Sequence, residues 1–174
     1  RNALLFLSSV IIGQFLVIPF ISPSMVANVG FQNSDLPWIY FLGGIAAFLV
    51  NPWIGKLTDF WGRGKTFRRF AFISIFFILG ITHMPPTALP IALLVTTSFF
   101  VCMGGRMIPT QTLMTSVVSR SHRGSFLSIS ASVQSFSQAI ASFAAGAILH
   151  VNPDNSHIEH YPTVGYISAA LCLV

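Results

Sequence analysis

Two polar side chains stand where an apolar stretch should hold none. Gln14 lies within ALLFLSSVIIGQFLVIPFIS and Arg106 within IALLVTTSFFVCMGGRMIPT. Each follows a glycine, Gly13 or Gly105, and each precedes an Ile-Pro pair, Ile18-Pro19 or Ile108-Pro109. A guanidinium in hydrocarbon costs at least a few kcal/mol, so Arg106 must face a wet cavity or polar neighbours. There it could bind an anionic or polar group of a solute, or support proton coupling. The structural alternative is an arginine that caps carbonyls freed near Pro109. Gln14 has the same two readings, solute contact or interhelical hydrogen bonding. A third cluster is a strip of Ser130, Gln134, Ser137, Gln138, Ala141 and Ala145, opposite Ile129, Phe136, Ile140, Phe143 and Ala147. On a helix the polar strip is a cavity wall or a packing seam, and the spacing leaves both open.

Other chemistry is thinly represented. His150, Asp154, His157, Glu159 and His160 crowd one stretch, but their spacing fits no zinc pattern and suits a solvated loop. No metal or cofactor is expected. The four acidic residues, Asp35, Asp59, Asp154 and Glu159, all fall in loops or at helix ends. A carboxylate for proton coupling would therefore lie in other sequence. No phosphate loop, activated nucleophile or carboxylate pair is present, so an enzyme is not expected. Cys102 and Cys172 sit in apolar runs and read as small packing residues.

The elements that must position these groups are membrane helices. Hydrophobic residues make up 53% of the 174 and charged ones only 7%. Soluble domains carry roughly a quarter charged residues, so this chain could not clothe a water-facing surface. The net charge of +5 lies between apolar runs, not in a basic stripe, which argues against nucleic-acid binding. Spans are expected over about 3–25, 37–57, 67–84, 90–118, 124–149 and 162–174, the last cut short. The chain starts without Met and stops in mid-span, so it reads as a fragment. Gly44, Ala47, Asn51 and Gly55 form a small-residue strip on the second span, suited to close helix contact. Trp38, Tyr40, Trp53 and Trp61 mark interfacial belts.

Charge orients the spans. The stretch from Gly55 to Arg69 holds Lys56, Arg63, Lys65, Arg68 and Arg69, five of the nine cations. It reads as a cytosolic loop. Arg120 and Arg123 lie in the next-but-one connection, and the three other connections carry no Lys or Arg. That alternation places both ends of a six-span unit, Arg1 included, in the cytosol. Gln14 and Arg106 then lie roughly 16–18 Å deep, near the midplane. Their helices run in opposite directions and open two three-helix groups. Paired interrupted helices of this kind predict an inverted three-plus-three repeat with a binding site at its centre.

Within the basic stretch, Gly55, Leu57, Asp59, Gly62 and Arg63 resemble motif A of the major facilitator superfamily, which joins the second and third helices of each half. Phe60 stands where that motif usually has a basic residue. Gly64 replaces another, with Lys65 displaced by one. The resemblance implies that Asp59 holds the cytosolic helix ends together in the outward-facing arrangement. Gly105-Arg106-Met107-Ile108-Pro109 is similar to the fourth-helix arginine segment of family efflux carriers, and Arg123-Gly124 to the loop that follows. The glycine-proline antiporter motif of an N-terminal half is missing from 124–149. With Val17-Ile18-Pro19-Phe20 and Asn28-Val29-Gly30, this resembles the C-terminal half of a drug- or sugar-efflux member.

The resemblance implies an all-α, six-helix half of a twelve-helix transporter in the plasma or inner membrane. It implies proton-coupled efflux of a small organic solute, with a missing N-terminal half as partner. Gln14, Arg106, Gln134 and Gln138 are the expected pathway residues. Alternatives are an importer of the same fold, a membrane-embedded enzyme using the 150–160 loop, and a non-transporting scaffold.

Overall fold

The computed structural model describes residues 2–119, 122–152 and 157–173; Arg1, Arg120 and Asp154 lie outside them. The fold is all-α apart from one short hairpin. Its helices are α1 (Asn2–Phe15), α2 (Ile21–Ser24), α3 (Leu36–Trp61), α4 (Arg63–Thr82), α5 (Leu89–Ser116), α6 (Arg123–Ile148) and α7 (Tyr161–Leu171). Three helical segments, Asn2–Val29, Leu36–Trp61 and Leu89–Ser116, are long and apolar enough to cross a membrane. Large apolar side chains point outward from several helices, among them Phe48, Phe76 and Phe143. Such a surface suits lipid and not water.

The first segment is interrupted where prolines require it. Pro19 and Pro23 cannot donate to the helix ladder, and α1 gives way after Phe15 to a 3-10 turn at Ile18–Phe20, then α2, then a π turn at Met25–Val29. The segment therefore runs to Val29, beyond the expected end near 25. The Tyr161 hydroxyl donates to the Val17 carbonyl at the interruption, 3.2 Å away. Asn28 pairs twice with the Ile158 backbone, donating to its carbonyl at 3.0 Å and accepting from its N–H at 2.8 Å. Ile158 lies in β2 (Ile158–Glu159), antiparallel to β1 (His150–Val151) in the register His150 to Glu159.

Three expectations need correction. The loop expected over 55–69 is not a loop: helix continues on both sides, and Gly62 alone makes the turn with φ 84° and ψ 147°. Thr66 explains how so short a turn is tied, since its hydroxyl donates to the Leu57 and Gly62 carbonyls at 3.3 and 3.1 Å. The basic residues are helical and reach water along the helix ends. Second, α5 passes through Pro109 without a break. Threonine hydroxyls bind neighbouring carbonyls, Thr110 to Arg106 at 2.7 Å and Thr112 to Ile108 at 2.8 Å, which helps a proline turn remain helical. Third, the packed face of α3 is rotated from the expected strip. Gly43 is buried against Phe100, whereas a Cβ on Gly44 or Gly55 would meet nothing within 4 Å. Asn51 of that strip sits against Gly104 of α5, where a Cβ would overlap it.

Packing has a simple logic. Helix α5 lies mainly against α3 and α4, while α1 lies mainly against α6 and α7. Helices α1 and α5 also touch, and so do α4 and α7. Exchanging α1 with α5, α3 with α6 and α4 with α7 reproduces this pattern. The first helix of each three-helix group is thus clasped by the second and third helices of the other, as an interlocked inverted repeat requires. The largest apolar cluster, with Val17, Ile21, Met25, Ile39, Ile78 and Phe99 at its centre, lies toward the end away from the basic residues.

Candidate functional site

The site is built on two glycines. On α5, Gly105 is approached by the Phe70 ring of α4 so closely that a Cβ would overlap it. On α1, a Cβ at Gly13 would stand 3.3 Å from the Leu171 Cβ of α7 and 3.7 Å from Arg106 Nη2. Each glycine of the first helix of a group therefore receives the third helix of the other group. The polar residue that follows each glycine, Gln14 or Arg106, is carried to the middle of the bundle.

Arg106 is 1% exposed and Gln14 2%. The guanidinium reaches across to α1 at Gly13 and lies beside the Cys172 sulfur just past α7. Cys102, one turn earlier on α5, is close enough to feel the same charge. Ser74 of α4 donates to Cys172 Sγ at 3.7 Å and to the Ala71 carbonyl at 2.7 Å, and Ser168 of α7 donates to the Gly13 carbonyl. Four helices thus converge on one buried cation.

That cation is under-partnered. Arg106 Nε and Nη2 and Gln14 Nε2 are buried donors with no hydrogen-bond acceptor among the described residues. A buried polar group normally finds a partner, and a buried charge almost always does. Among the described residues no carboxylate serves here, because Asp35, Asp59 and Glu159 are outside the buried core. The vacant donors form a fork suited to an anionic or carbonyl oxygen. The carbonyl that Pro109 frees is that of Gly105, four residues back, and no hydrogen bond joins the guanidinium to it among the described residues.

Helix α6 divides as its sequence period requires. Ser130, Ser137, Ala141 and Ala145 are buried, Gln134 and Gln138 half-buried, and Ile129, Phe136, Ile140 and Phe143 exposed. Helix α6 packs mainly on α1, and the burial of four of the six strip positions makes most of the strip a packing seam. Gln134 Oε1 accepts from Gln111 Nε2 of α5 at 3.5 Å, about a turn and a half along from Arg106. No hydrogen bond joins Gln134 or Gln138 to Arg106 among the described residues.

The motif-A residues stand at the basic end. Gly55 is half-buried, and Asp59, Gly62 and Arg63 are exposed. Spacing did not reveal Ser74, Ser168 and Cys172. The only trace is the i, i+4 pairing of Ser168 with Cys172 on one helix face, a weak signal in so apolar a chain.

A single family model spans this architecture. The Major Facilitator Superfamily model matches residues 3–174. The chain belongs to the major facilitator superfamily. It is accordingly a multi-pass membrane protein of a family of secondary transporters for small molecules, not a family of enzymes. No curated protein and no solved structure matches it. In this facilitator chain the glycine-polar pairs of α1 and α5 occupy equivalent places in the two interlocked groups.

Proposed function

We propose that the chain is the C-terminal six-helix unit of a proton-coupled exporter of small drug- or sugar-like organic solutes. The observation that carries this reading is the buried, under-partnered guanidinium of Arg106 at the meeting of α1, α4, α5 and α7. In a rocking carrier its free Nε and Nη2 serve an oxygen of the solute, with Gln14 beside it as a second donor. Gln134 and Gln138, half-buried on α6, extend the polar path along the bundle. The alternation of basic and uncharged connections supports a cytosolic position for both ends of the unit, with Asp59, Gly62 and Arg63 at the turn on that side. The N-terminal half supplies the other wall and the carboxylate that carries the proton.

The test is proton flux in vesicles holding the full-length protein. A dye in the lumen reports pH while organic cations, neutral sugars and organic anions are added in turn. At least one solute class is expected to move protons. Arg106→Ala should lower that flux at least about tenfold, because a charge-assisted hydrogen bond is worth roughly 1.5–3 kcal/mol. Arg106→Lys, which keeps charge but loses the fork, should fall between. Full flux in the alanine variant would overturn the assignment of Arg106. Solute movement without proton movement would overturn the coupling.

A further inference from the structure

The outward side of the α3–α4 junction holds a second feature that the transport reading does not use. A groove of about 470 Å³ runs between the two helices, walled by Leu57, Trp61, Phe70, Phe72 and Ile73, with Arg68 and Arg69 at its rim. Its inner walls are nearly all carbon, and Phe72 and Ile73 are 61% and 43% exposed. Arg69 stacks on the Trp61 ring, its guanidinium carbon 4.1 Å from the ring centroid. Stacking fixes the plane of the guanidinium and leaves its edge donors free for a bidentate oxyanion.

We propose that this groove binds one anionic phospholipid, its phosphate held by Arg68 and Arg69 and an acyl chain lying along Phe72 and Ile73. The charge is one-sided: residues 55–69 hold five cations and one acid, Asp59. Four of the five cations stand just past the turn at Gly62, and Trp53 and Trp61 on the preceding helix mark the edge of the apolar zone. Basic pockets between helices at such an edge select anionic headgroups. A free phosphate would gain nothing from the carbon walls, and a zwitterionic lipid would gain little from the two arginines. Phe70, at the inner wall, is also the ring seated on Gly105. The lipid therefore abuts the helix contact that positions Arg106, although the site stands whether or not the chain exports solutes.

Native mass spectrometry of the purified, delipidated full chain tests this, with equimolar dioleoyl-phosphatidylglycerol and dioleoyl-phosphatidylcholine added. Bound phosphatidylglycerol should exceed phosphatidylcholine at least about tenfold, given two cations at the membrane edge. The R68Q/R69Q variant should bind the two lipids about equally. The K56Q/R123Q variant loses the same charge elsewhere, since Lys56 lies over Trp53 and Arg123 reaches the Thr115 carbonyl. It should keep the preference. Ile73→Trp fills the groove and leaves both arginines, so it should lose bound phosphatidylglycerol and keeps the test open should R68Q/R69Q not fold. Equal binding of both lipids to the unaltered chain would overturn the site. So would equal losses in the two double variants, or an Ile73→Trp variant that binds like the parent.

Discussion

At the scale of single residues, the bundle depends on close approaches that only glycine permits. Phe70 occupies the space where a Cβ on Gly105 would stand. Gly105→Ala should therefore destabilise the bundle by about 1–3 kcal/mol, the usual cost of overpacking a filled site. Thermal unfolding of the solubilised chain reads this directly. Adding Phe70→Leu should recover much of the loss, because the smaller side chain vacates the contact; no recovery would mean the strain lies elsewhere. Arg106 was legible in the sequence because a lone cation amid apolar residues has so few explanations. Its neighbours were not, because Ser74, Ser168 and Cys172 are separated from it by 32 or more positions and are met only through packing. Arg106 also shows why the capping alternative is weaker. Pro109 frees the Gly105 carbonyl, and the guanidinium donates nothing to it among the described residues but points to α1 and α7.

At the scale of elements, the α3–α4 junction shows a charged stretch remaining helical. Charge density suggested a loop over 55–69, yet charge says only that side chains reach water, which a helix end does equally well. The turn is confined to Gly62, whose positive φ of 84° is costly for other residues. Gly62→Ala should lower stability by about 1–3 kcal/mol. Gly64→Ala, two residues later inside α4 with open space around it, should be neutral or stabilise by about 0.4–1 kcal/mol. Unfolding measurements on the pair separate a conformational demand from general sensitivity; equal effects would refute it. The packed face of α3 escaped the sequence for a related reason. Small residues at 43, 44, 46 and 47 offer adjoining faces, and the choice falls to Phe100 on α5, which spacing within α3 does not register. Helix α6 was easier, since serine and alanine on one side and bulky apolar residues on the other leave one way to bury it.

At the scale of the whole molecule, the sequence revealed the inverted repeat through two glycine-polar-proline segments. The packing adds how the two groups interlock, with α1 and α5 each held by the other group's second and third helices. This arrangement carries Gln14 and Arg106 inward together and gives the bundle one polar centre. The central claim is that this centre opens to water as the carrier cycles. It is tested most directly by thiol modification at Cys172 in a Cys102→Ser background, in membrane vesicles. Anionic and cationic water-soluble methanethiosulfonates are compared with the membrane-soluble N-ethylmaleimide. Both water-soluble reagents should react, the anionic one faster. That advantage should shrink at least about fivefold in the Arg106→Gln variant, as removal of a unit charge a few ångströms away implies. Reaction with N-ethylmaleimide alone, and none with either charged reagent, would show a dry packing seam and contradict the account.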